Sequence, residues 1–116
     1  MTLEAVMERM REAGAHAIAV VSRDGSVLAS DLPPGVSRET FSIMCATIHG
    51  AGMTVSNELK RGTPRRIVLE SNEGRVLITE AGRRALIVIV LPGGANFEDS
   101  VRQLQPLVDE IAREMG

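Results

Sequence analysis

Two histidines, one cysteine, a glycine pair and a group of arginines are the residues in this chain equipped for chemistry. His16 and His49 stand far apart, and neither sits in a metal-ligand spacing. Each reads as a structural, semi-buried imidazole. Cys45 would need a neighbouring base and an electropositive setting to act as a nucleophile. It lies instead beside Met44 in an apolar stretch and reads as an inert core residue. Gly93-Gly94 precedes a helical pattern, where backbone N–H groups could cradle an anion. The lysine of a P-loop and the full dinucleotide spacing are both missing, so the pair reads as a turn. No catalytic residue, cofactor or metal ligand is expected.

These residues are set in a chain of 116, which is one domain, 1–116. With 44% hydrophobic and 24% charged residues, it has enough apolar surface for a core. A formal net charge of −2, no Trp or Tyr and two Phe argue against a nucleic-acid surface. A single cysteine excludes an intrachain disulfide and fits a reducing compartment. The first nine residues are amphipathic and lack a signal peptide's apolar core. No segment reaches the ~20 apolar residues that span a bilayer. A cytoplasmic location without membrane insertion is expected.

The positioning elements follow from periodicity. Leu3, Val6, Met7 and Met10 recur at helical spacing up to Gly14. Two β-prone runs, from Ala17 and from Ser26, flank Arg23-Asp24-Gly25, a hairpin signal. Ser37 is a plausible N-cap for a long helix reaching about Arg61, with Gly62-Thr63-Pro64 as its stop. Phe41, Met44, Cys45, Ile48, Gly52, Val55 and Leu59 are assigned to its core face. Three β runs starting at Arg66, Arg75 and Ala85 are joined by loops short enough to require a meander. The run from Ala85 to Leu91 is apolar at every position, as a strand covered on both faces must be. A last helix carries Phe97, Val101, Leu104, Leu107, Val108 and Ile111, with Pro106 expected to kink or loosen it. The fold expected is α/β, an α+β sandwich in the order α-β-β-α-β-β-β-α. Its five-stranded antiparallel sheet has helices on both faces.

The long helix is the most informative segment. From Thr40 to Asn57 it holds no Asp, Glu, Lys or Arg. A helix lying on a monomer's outside should be charged on its solvent face. Ala46, Gly50 and Thr54, at spacing four, permit another backbone to approach, and two interior glycines cost roughly 1 kcal/mol each against Ala. The chain is too short to cover this face itself, so a partner helix is expected. The expected self-interface comprises Ile43, Ala46, Thr47, Gly50, Met53, Thr54 and Asn57. To these the edge strand adds Arg66, Ile67, Val68, Leu69 and Glu70, since an uncovered edge invites another strand. Ser42, His49 and Ser56 are expected on the helix flanks, available to a further partner. Arg65, Arg66, Arg83 and Arg84 gather at one sheet end, with Lys60 and Arg61 nearby. They read either as solvated loop charge, partly offset by Glu58 and Glu80, or as a docking patch for an acidic or phosphorylated partner. Arg65, Arg83 and Arg84 are therefore further partner-binding candidates.

Three segments carry a resemblance: Gly14–Val21 with Asp24-Gly25, Gly74–Ile89, and Asn96-Phe97. Together with the element order they resemble the roadblock family of dynein light chains and GTPase regulators, and within it the standalone prokaryotic members of the MglB type. The resemblance implies a homodimer formed through the second helix and third strand. It also implies a small Ras-like GTPase as partner, with hydrolysis stimulated by ordering the GTPase's own switch elements. No arginine finger is assigned. A structural adaptor without effect on nucleotide turnover is the alternative function. A small-molecule sensor would need an apolar cavity with convergent polar groups, whereas the polar residues here fall at ends and turns.

Overall fold

The computed structural model describes residues 2–115. The Thr2 hydroxyl accepts a hydrogen bond from the Ala5 N–H at 3.1 Å and caps α1 (Leu3–Glu12). Glu4 in its first turn and Arg9 and Arg11 in its last oppose the helix dipole with the right signs. β1 (Ala17–Ser22) and β2 (Val27–Asp31) form the expected hairpin. Its turn passes through Gly25 at φ +96°, a conformation that favours glycine. A Cβ there would also stand 3.0 Å from the Ile43 backbone, so the turn packs flush against the next helix.

That helix is α2 (Arg38–Glu58), whose N-cap Ser37 accepts from the Thr40 N–H. It ends before Arg61 in a Schellman motif. The Arg61 N–H bonds the Ser56 carbonyl, the Lys60 N–H bonds the Asn57 carbonyl, and Lys60 takes the left-handed conformation at φ 57°. The stop is therefore at Lys60, two residues before the glycine expected to supply it.

β3 (Arg66–Ser71), β4 (Gly74–Ala81) and β5 (Ala85–Pro92) form the meander, and α3 (Phe97–Met115) closes the chain. Asn96 Oδ1 accepts from the Asp99 N–H at 3.0 Å at its start. α3 continues as one helix through Pro106, which is exposed. The strand order is β2-β1-β5-β4-β3, every pair antiparallel. β3 lies at the edge and β5 in the middle, both as expected.

Alternation across this sheet builds two cores of unequal size. Ile18, Val20, Leu77, Ile87 and Ile89 point to one face, where α1 and α3 cover them with Val6, Met10, Leu104, Val108 and Ile111. Ala19, Val21, Ile78 and Val88 point to the other, beneath Cys45 of α2 with Phe41, Ile48 and Ile67 at the margin. β5 feeds both cores, which accounts for its unbroken apolar run.

α2 is rotated relative to the orientation expected from its large apolar residues. Ser42, Cys45 and His49 are its buried residues. Met44, Val55 and Leu59, assigned to the core, are 50%, 60% and 65% exposed. The cause is steric. Gly52 lies so close to the sheet that a Cβ would stand 2.5 Å from Ile67 Cδ1. Small residues of α2 let the helix approach the sheet, and Met44, Val55 and Leu59 are turned outward.

Candidate protein-interaction surface

The outer side of α2 joins the β3 edge in one continuous surface. At 3.6 residues per turn, Met44, Ala51, Val55 and Leu59 form a row on the flank of α2 toward β3. Gly52 and Ile48, one step inward, meet Ile67 of that strand. Leu69, two residues along β3 on the same side, is 44% exposed, and Ile43 on the other flank is 48% exposed. Large exposed apolar side chains on a helix uncharged from residue 40 to 57 mark an interaction site more than a solvated face. Its two threonine hydroxyls are already satisfied. Thr47 donates to the Ile43 carbonyl at 2.8 Å and Thr54 to the Gly50 carbonyl at 3.2 Å. With their hydroxyls turned onto the helix, both threonines can be buried by a partner without losing a hydrogen bond.

The two glycines have different roles. Gly52 is explained within the chain by Ile67. A Cβ at Gly50 would meet nothing within 4 Å. Nothing in the monomer accounts for a helix-interior glycine there. Thr47, Gly50, Thr54 and Asn57 are exposed on α2, whereas Ala46 and Met53 are half-buried and flank its buried line of Ser42, Cys45 and His49. On β3, Arg66, Val68, Leu69 and Glu70 are exposed, and Ile67 is half-buried under α2. Met44, Val55 and Leu59 belong to the same surface. Sequence reasoning gave them to the core because apolar periodicity does not distinguish a core face from a second apolar face.

The flank residues expected to meet a further partner are placed elsewhere. Ser42 is 0% and His49 5% exposed, both against the sheet. Ser56 is half-buried and donates to the Gly62 carbonyl, securing the end of α2. None of the three presents its polar group outward. The Ser42 hydroxyl has no partner among the described residues. His49 Nε2 lies 3.5 Å from Glu80 Oε1, beyond good hydrogen-bond geometry. Burial pushes the His49 pKa below its ordinary value of 6.5. Glu80 opposes the shift and Arg23 adds to it. Arg23 locks this corner, pairing with Glu80 at 3.2 Å and donating to the Arg83 carbonyl at 2.6 Å.

The basic residues gather as expected. Arg66 sits opposite Thr79 and Ala81 opposite Ala85, so the start of β3 and the β4–β5 turn share one sheet end. Arg65, Arg66, Arg83 and Arg84 are exposed there. Arg23, from the β1–β2 turn, joins them and was not foreseen. Cys45 is buried, and burial pushes its thiol up to about 11, so it is not a thiolate near neutral pH. Among the described residues no cluster of three or more His, Cys, Asp or Glu could hold a metal ion. No helix among them is long and apolar enough to cross a membrane.

Known proteins share this fold. The fold superposes on Myxococcus xanthus MglB with a TM-score of 0.88 at 15% identity, covering 96% of this chain and 92% of that one. It superposes equally on a Roadblock/LC7 domain from Streptomyces avermitilis, with a TM-score of 0.88 at 16% identity over 99% and 98% of the two chains. The uncharacterized protein MJ0310 of Methanocaldococcus jannaschii is 31% identical over 84 residues, 72% of this chain and 74% of that protein. The sequence profile of the Roadblock/LC7 domain matches residues 1–91, from α1 through β5. The chain belongs to the Roadblock/LC7 family.

Proposed function

We propose that this chain is a homodimeric regulator or scaffold for a small Ras-like GTPase, assembled through α2 and the β3 edge. The observation that carries the reading is the charge-free outer side of α2 from Thr40 to Asn57, where Ile43, Met44 and Val55 are exposed and Gly50, near the middle of the helix's length, is open. Pairing two such helices removes the exposed apolar rows from water. It leaves a broad, weakly polar platform over the joined sheets, and a wide surface without concavity suits a protein ligand better than a small molecule. The MglB-like neighbours and the family membership support a GTPase as that ligand. A Ras-like GTPase changes mainly its switch segments between nucleotide states, so a regulator must contact them differently in each. The expected contribution is positioning of those segments, with no catalytic residue from this chain.

Calorimetry against GTPases of the same organism, loaded with GDP or a GTP analogue, tests the reading. Preferential binding of the GTP-bound form is expected. Equal affinity for both forms would leave the structural adaptor, and no binding to any of them would remove both. The exposed Arg83 and Arg84 are suited to steer association. Their charge reversal should slow binding more at low salt than at high salt.

A further inference from the structure

We propose that β3 carries a self-complementary charge pattern that fixes the register of its pairing with a second copy, Arg66 of each copy facing Glu70 of the other. This rests on the homodimer reading above and specifies the contact that reading leaves open. A two-fold axis perpendicular to the sheet would place two β3 strands side by side and antiparallel. Residues directly opposite in such a pair point to the same face. The register must therefore centre on a residue, and the middle of the strand offers Ile67, Val68 or Leu69.

The three registers differ in what they oppose. Centred on Ile67, Arg66 meets Val68 and Glu70 meets Pro64. Centred on Leu69, Glu70 meets Val68 and Arg66 meets Asn72. Both place charges against apolar side chains. Centred on Val68, Val68 meets its own copy, and Arg66 meets Glu70 twice by symmetry on the α3 side. On the α2 side Ile67 then meets Leu69 twice, extending the apolar surface of Met44, Val55 and Leu59. Every opposed pair matches in that register alone.

The side chains are arranged for it. Arg66 is exposed and has no ion-pair partner among the described residues. Glu70 is 63% exposed at its side chain and is held on the α3 side by Arg75, whose Nε lies 2.6 Å from Oε2. The Arg75 guanidinium rests in turn 5.2 Å from the centre of the Phe97 ring. Glu70 Oε1 has no partner among the described residues. Opposite charges on facing strands stabilise the pair and like charges destabilise it. The pattern therefore favours a second copy of this chain over a strand with another charge order.

Arg66→Glu and Glu70→Arg variants test this by charge exchange, read by sedimentation velocity. Each alone should form its homodimer roughly tenfold more weakly than wild type. An equimolar mixture should recover a heterodimer, because both opposed pairs are then of opposite sign. A second arm does not depend on destabilisation. Facing residues at the centre of the pairing have Cα atoms about 4.5–5.5 Å apart, within disulfide reach. Val68→Cys should cross-link to its own copy under mild oxidation. Leu69→Cys, offset by two residues to about 8 Å, should not. A dimeric wild type whose variants neither heterodimerise on mixing nor cross-link at position 68 would overturn the register and leave the homodimer standing. A monomeric wild type would overturn both.

Discussion

His49 shows how burial at a single residue becomes measurable. Its imidazole is held neutral by desolvation against the sheet, with Glu80 too distant to compensate fully. Its pKa in the folded chain lies below the ordinary 6.5, so the unfolded chain takes up a proton first as pH falls. The stabilising contribution is fully present above the unfolded pKa and declines as pH falls through 6.5 toward the folded value. Thermal stability is therefore expected to fall as pH is lowered through 6.5. His49→Gln should flatten that dependence in a melting series. An unchanged slope in the variant would assign the effect to other groups. Cys45, one turn away, gives a second test at this scale. Its buried thiol should label slowly in the native protein and quickly after denaturation, and fast native labelling would contradict its place in the core.

The elements were largely legible in the sequence, and the rotation of one of them was not. Order, hairpin, meander, edge strand and central strand follow from alternation and turn residues, because those signals act locally. α2 escaped because it is apolar on two sides. Met44, Val55 and Leu59 have the spacing of a core face, while the residues that meet the sheet are Ser42, Cys45, His49 and Gly52. Which side turns inward depends on how closely Gly52 lets the helix approach Ile67, a tertiary fact. The sequence places Gly50 at an exposed position and β3 at the sheet edge, and the structure has both there, because missing charge and edge position are local signals. The sequence reading failed at Ser42, His49 and Ser56, since a polar side chain on a weakly polar helix was read as exposed. The end of α2 carries its own prediction. Lys60 occupies a left-handed position where a side chain is strained. Lys60→Gly should stabilise the fold by about 0.5–1 kcal/mol in denaturant unfolding, despite the greater freedom glycine gives the unfolded chain. A destabilised variant would mean that the lysine side chain makes a contact worth more than the strain.

At the scale of the whole molecule, one core is thick and closed and the other is thin and open. α1 and α3 seal one face of the sheet, while α2 covers the other and leaves its own outer side bare. That asymmetry is costly in a monomer and ordinary in half of a dimer. Gly50 separates the two cases, because it is open in the monomer and would be covered in the pair. Sedimentation equilibrium of the wild type beside Gly50→Glu, with circular dichroism to confirm that both are folded, is the most direct test. The expected result is a wild-type species of twice the 12.5 kDa chain mass at micromolar concentration, and a folded Gly50→Glu variant at the mass of one chain. A wild type that sediments as a monomer, or a variant that remains dimeric with a charge at position 50, would contradict the assignment of this face.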